Sequence, residues 1–184
     1  MIDEDFYDPT IIGFVLAVEH ARSDEIKNQL VSSVRKLESD DKCYMHHARS
    51  DFILSSTGSG SAVKSVADWK PIPEHELNLG KDMQQSMIVL ANEDDDVEKH
   101  LFVVLDKFKP DWEYEFNKVL KMNLKLGCRI KFHFCNISEK SFETLEKIVS
   151  FFEESADFNS FSEAESLHNF IVSKFRNDEQ NKQS

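Results

Sequence analysis

Glycine is scarce in this chain, five residues in 184, and the motifs that need it are absent. A dinucleotide site requires G-x-G-x-x-G directly after the first strand, where bare backbone can approach a pyrophosphate. Here residues 19–23 read Glu-His-Ala-Arg-Ser. The pair Gly58 and Gly60 lacks the Gly-Lys-Ser/Thr ending of a P-loop, and no G-x-S-x-G nucleophile elbow occurs. Nucleotide binding and elbow-type hydrolysis are not expected.

Cysteine is also rare. Cys43, Cys128 and Cys135 are odd in number and show no C-x-x-C spacing, so a reducing compartment is expected and the location reads as cytoplasmic. No apolar run approaches the roughly 18 residues of a membrane span. The acidic start, MIDEDFYDP, lacks the basic n-region of a signal peptide. Basic residues are outnumbered, 22 against 34, for a net charge of −12. Phosphate neutralisation needs clustered Lys and Arg, so neither nucleic acid nor an anionic membrane is an expected partner.

What is present is periodic hydrophobicity. Residues 100–107 (HLFVVLDK) form a short apolar run ending in one carboxylate, Asp106, as in a strand buried on both faces of a parallel sheet. Residues 11–18 (IIGFVLAV) read the same way. Residues 43–46 and 52–55 suggest a hairpin, 128–135 (CRIKFHFC) an alternating strand with Ile130, Phe132 and Phe134 on one face, and 158–161 a short strand. Between these lie helical stripes. Ile26, Leu30, Val34 and Leu37 predict a helix starting near Ser23 or Asp24, and Met83, Met87 and Leu90 one over 79–91. Pro110 opens a third, whose expected buried stripe holds Trp112, Phe116, Val119, Leu120 and Leu124 and which Gly127 closes. Ser138 and Ser162 are the expected caps of the last two. Residues 55–65 (SSTGSGSAVKS) read as a flexible patch with a short helical possibility after Gly60.

This alternation predicts an α/β fold, doubly wound and Rossmann-like. Its mostly parallel sheet has one antiparallel edge strand and helices on both faces. Residues 1–10 read as an acidic lead-in, 11–176 as one domain and 177–184 as a polar tail. In such a sheet ligands bind outside the carboxyl ends of the strands. Four oxygen-bearing residues fall there: Glu19 and Ser23 after the first strand, Asn78 before a helix start, and Asp106 at the end of the central run. Oxygen donors of this kind suit a hard cation such as Mg²⁺. Histidine ligation is not expected, because adjacent His46 and His47 point to opposite faces of a strand. His133 and Cys135 share a face but are expected to pack, and His20 to be a surface residue.

These residues and the element order resemble the von Willebrand factor type A family. The resemblance implies a metal-ion-dependent adhesion site built from Asp-x-Ser-x-Ser, a Thr before a Leu-Gly helix start, and an Asp after the fourth strand. In this chain the first motif reads Glu19-His20-Ala21-Arg22-Ser23, the second places Asn78 before Leu79-Gly80, and the third keeps Asp106 beside Lys107. The site is thus degenerate: Ser23 and Asp106 remain as possible metal ligands, and Mg is the one cofactor considered. Leu126-Gly127-Cys128-Arg129-Ile130 resembles the family's approach to its fifth strand.

The expected function is a non-catalytic, intracellular protein–protein interaction module. It would bind a protein partner at the carboxyl edge, with Trp69, Pro71 and Pro73 available for apolar contact. Two alternatives are a Mg-dependent hydrolase or phosphoryl-transfer enzyme at the same edge, and an acidic mimic of nucleic acid using the Asp94–Asp96 run. Self-association through an exposed edge strand is also possible.

Overall fold

The computed structural model describes residues 8–176. Its strands are β1 Thr10–Ala17, β2 Lys42–His47, β3 Phe52–Thr57, β4 Glu98–Leu105, β5 Ile130–Asn136 and β6 Ala156–Ser160. They form one sheet in the order β3-β2-β1-β4-β5-β6, parallel except for the β2–β3 pair. The helices are α1 His20–Val34, α2 Ser59–Ala67, α3 Leu79–Ala91, α4 Glu113–Lys125, α5 Glu143–Ser150 and α6 Ala164–Phe175. The doubly wound α/β expectation is met, with β3 as the antiparallel edge.

The apolar run at residues 100–107 is the middle of the sheet. β4 pairs with β1 along its whole length, from Thr10 opposite Glu98 to Ala17 opposite Leu105. Its side chains alternate between two cores. Leu101, Val103 and Leu105 meet α3, α4 and α5 on one face, while Phe102 and Val104 meet α1, α2 and α6 on the other. Each fully buried apolar side chain contributes about 1.5–3 kcal/mol, so the run is held from both sides. Ile130, Phe132 and Phe134 of β5 share the first core, as their alternation predicts.

Several boundaries differ from expectation. α1 begins at His20, with Glu19 as its N-cap, and Ser23 lies buried one turn inside. The Ser23 hydroxyl donates to the His20 carbonyl at 2.8 Å, so it is spent within the helix rather than at its start. Ser138 caps no helix. The Asn136 side chain, at the end of β5, accepts from the Ser138 N–H at 2.9 Å and its hydroxyl at 2.8 Å, and α5 starts only at Glu143. Glu163, not Ser162, precedes α6. Leu124, expected in the buried stripe of α4, is 51% exposed. Cys128 lies outside β5, because Gly127 (φ 63°) and Arg129 (φ 56°) both turn left-handed and close α4 before Ile130. The Ser/Gly patch is ordered from Ser59 as α2. Trp69 is buried in the α1–α2 core, which removes it from any partner surface. β1 already includes Thr10; the rest of the lead-in up to residue 7, and the tail 177–184, lie outside the described residues.

Candidate functional site

The chain leaves β1 toward β2 on one side of the sheet and β4 toward β5 on the other, so their carboxyl ends part. A cleft of about 650 Å³ opens at this switch point. Such a crevice is where open α/β sheets bind ligands. Val18, Glu19 and His20 come from the β1–α1 turn, and Lys107 from the segment after β4. Pro71, Ile72, Pro73, Glu76 and Leu77 form the wall before α3, and Arg49 stands on the corner between β2 and β3.

Two of the four sequence candidates meet directly. Asp106 accepts the Glu19 N–H on Oδ2 at 2.6 Å, tying the end of β4 to the start of α1. Its Oδ1 is buried with no hydrogen-bond partner. Burial raises the Asp106 carboxyl above its ordinary range, against the lowering pull of the Glu19 N–H and of Lys107. The Glu19 carboxylate lies 3.6 Å from the Lys107 ammonium. The side chain next to Asp106 thus bridges back to Glu19, although neighbours on an extended chain point apart.

The other two candidates serve local structure. Asn78 caps α3, its Oδ1 accepting the Lys81 N–H at 3.2 Å. Ser23 is buried and committed to the His20 carbonyl.

Of the buried oxygen atoms a divalent ion could use, Asp106 Oδ1 is the one without a partner. The Asn78 amide oxygen and Asp106 Oδ2 each accept a backbone N–H, the Ser23 hydroxyl donates to a carbonyl, and the Lys107 ammonium faces Glu19. Among the described residues, no group of three or more His, Cys, Asp or Glu is placed to hold a metal ion. Asp106→Asn retains an acceptor for the Glu19 N–H and removes a buried charge. It is expected to leave the urea midpoint close to wild type, whereas Asp106→Ala, which orphans that N–H, costs about 1–3 kcal/mol. Equal losses in both would show that the charge itself holds the loop.

His46 and His47 fall on opposite faces of β2, as adjacent strand residues are expected to. His46 faces α3, with Nε2 3.2 Å from Gln85 and 3.6 Å from Asp82, while His47 stacks on Phe52 at 5.0 Å. His20 is exposed at the cleft mouth. Ile72 lies between Pro71 and Pro73 in the segment expected at this edge, whereas Arg49 was not foreseen. Arg49 is exposed on a one-turn 3₁₀ corner ending in left-handed Asp51 (φ 50°), which pairs with Lys81 at 3.1 Å. The signal that could have found it is positional, since the carboxyl end of a strand parallel to β1 shares its edge. The Asp94–Asp96 run, by contrast, is exposed before the amino end of β4, on the opposite edge.

No protein-family model and no curated protein matches this chain. Among solved structures, the pilus adhesin SpaC from Lactobacillus rhamnosus GG in its open conformation has a similar fold. Its TM-score is 0.59 at 11% identity, covering 91% of this chain and 30% of that one. A second crystal structure of the same adhesin gives 0.56 at 8% identity, again covering 91% and 30%. The chain therefore spans under a third of the adhesin's length, and the likeness is one of fold. No helix among the described residues is long and apolar enough to cross a membrane.

Proposed function

We propose that this chain is a non-catalytic protein-interaction module of the von Willebrand factor type A kind, acting in the cytoplasm. It binds a protein partner in the carboxyl-edge cleft without a divalent ion. The lining of the cleft carries this reading. Pro71, Ile72 and Leu77 offer an apolar wall, Arg49 an exposed guanidinium on the rim, and Glu19 is paired with the Lys107 ammonium within the cleft. None of the cleft-lining residues is a Ser, Thr or Cys nucleophile, which favours recognition over covalent chemistry. An apolar side chain flanked by a carboxylate suits such a wall and rim, because a guanidinium can hold a carboxylate through two N–H groups. A solved chain of similar fold is an adhesin, in keeping with a binding role. The three free cysteines are in keeping with a reducing compartment.

The test is affinity capture from cells of the source organism with three forms: wild type, Arg49→Glu with Ile72→Asp, and Asp94, Asp95 and Asp96 all changed to Asn. A partner held by wild type and by the triple variant should be reduced at least tenfold by the cleft variant. Addition of EDTA should change nothing. Retention by the cleft variant, or release by EDTA, would overturn the proposal.

A further inference from the structure

The second half of the sheet carries a chain of titratable groups that the cleft does not use. His100 of β4 and His133 of β5 lie side by side with side chains 2% and 3% exposed. His100 Nδ1 is 2.8 Å from His133 Nε2, and His133 Nδ1 is 2.8 Å from Asp157 Oδ2 on β6. At the far end His100 Nε2 lies 3.0 Å from Glu98 Oε1, a carboxylate oxygen with no proton to give. Phe102 stacks on His133 at 4.9 Å and Phe170 of α6 meets it edge-on at 5.6 Å.

With both rings neutral, counting protons leaves one arrangement. Two neutral imidazoles supply two N–H groups. The Asp157 carboxylate only accepts, so His133 donates from Nδ1 and must accept at Nε2. His100 therefore donates from Nδ1, which leaves its Nε2 a bare lone pair, buried and without an aligned donor. A further proton would have to sit there, as a cation away from water and beside the second ring.

We propose that the His100–His133–Asp157 relay is an acid-sensitive latch. It holds β6 against the sheet while both rings are neutral, and releases that edge when the opened form takes up a proton on His100. The surrounding charges support a neutral closed state. Glu98 on β4 would favour a cation, but its Oε1 also lies 3.0 Å from the Lys131 ammonium of β5, which opposes one. On β6, Asp157 accepts a second hydrogen bond from Asn159 at 2.6 Å. From α6, Lys174 lies over the Phe170 ring at 4.9 Å and attracts Asp157. His168 of α6 is engaged with Ser33 of α1 at 3.1 Å. Burial keeps the Cys135 thiol neutral.

Burial first, and the neighbouring His133 second, push His100 down to about 4 from its ordinary 6.5. A histidine depressed by folding gives stability that is complete above pH 6.5 and is lost as the pH falls toward 4. Asp157 acts in the same direction at lower pH: burial raises its carboxyl, but the hydrogen bond from His133, with Lys174 and the Asn159 amide, outweighs this and lowers it. From His100 alone, the opened population should rise about tenfold between pH 7.5 and 5.5.

Native-state hydrogen exchange of the full chain, corrected for the pH dependence of intrinsic exchange, reads this at residues 156–160. Wild type should lose about tenfold in protection over that interval, and His100→Asn, which keeps a donor at the Nδ1 position, less than twofold. Unchanged protection in wild type, or an equal loss in the variant, overturns the proposal. Should the variant fail to fold, ¹⁵N imidazole spectra of wild type decide. A bare Nε2 on His100 at pH 5.5 supports the latch, and an imidazolium there overturns it.

Discussion

Truncating Phe102 to alanine should lower the unfolding free energy by about 3–5 kcal/mol, the range for deleting a buried aromatic ring. The ring is 0% exposed in the middle of β4, stacked 5.6 Å from Phe14 and 4.9 Å from His133, with Phe170 edge-on at 6.3 Å. None of these neighbours can collapse into the gap cheaply. Phe14 and His133 are fixed by strands on either side, and Phe170 by a helix that also buries Leu167 and Ile171. The cavity term therefore adds to the lost transfer energy. Phe151, 71% exposed, is the control, and its replacement by alanine should stay within about 0.5 kcal/mol. Urea titration of both variants measures this. A loss below about 1 kcal/mol for Phe102 would mean that the second core is looser than its packing implies.

Phe102 also shows why the fold was legible. Strands buried on both faces must be apolar at every position, and helices covering a sheet must be apolar on one stripe, so both leave a pattern that composition cannot hide. The six strands and the amphipathic helices were accordingly read in order. Helix starts were not. Serine hydroxyls at 23, 138 and 162 look like caps, but Ser23 is spent on a carbonyl and Ser138 on the Asn136 turn. A cap is a three-dimensional contract, and local sequence cannot say which partner wins. Asn123 is a further case. Lying on the buried side of α4, it donates to the Ile130 carbonyl at 2.8 Å and accepts the Ile130 N–H at 3.2 Å, fastening the start of β5. Nothing in the helical period separates that role from a surface asparagine.

The site was half legible for the same reason. Glu19 and Asp106 were placed together because strand ends in a parallel sheet share an edge. Their bond through the Glu19 N–H was not readable, since it depends on the register of β1 against β4. Lys107 reaching Glu19 and Arg49 reaching the rim depend on corner geometry. The His100–His133–Asp157 relay needs three strands in register, and a spacing of 33 residues between the two histidines carries no such information.

Gly80 joins the two halves of that lesson. Gly80 stands second in α3, and the fold supplies a physical cause for a glycine there. A Cβ built on Gly80 would lie 2.3 Å from the Glu115 Cβ of α4. That atom is fixed to the backbone, so α3 and α4 would have to separate by more than 1 Å to reach ordinary contact. Helix propensity pulls the other way, because alanine is favoured over glycine within a helix by about 1 kcal/mol. Overpacking costs about 1–3 kcal/mol, and more where a close-packed core must shift. The clash should win. Gly80→Ala is expected to destabilise by about 1–2 kcal/mol and Gly80→Val, which adds two methyl groups at the same point, by about 3. Removing the opposing atom should relieve it, so Gly80→Ala combined with Glu115→Gly should show a favourable coupling above about 1 kcal/mol in a double-mutant cycle. Because α3 carries Asn78 at its cap and Leu77 on the cleft wall before it, the same separation should weaken partner capture. Strictly additive losses, or a Gly80→Ala protein as stable as wild type, would show that the helices approach less closely than 2.3 Å implies.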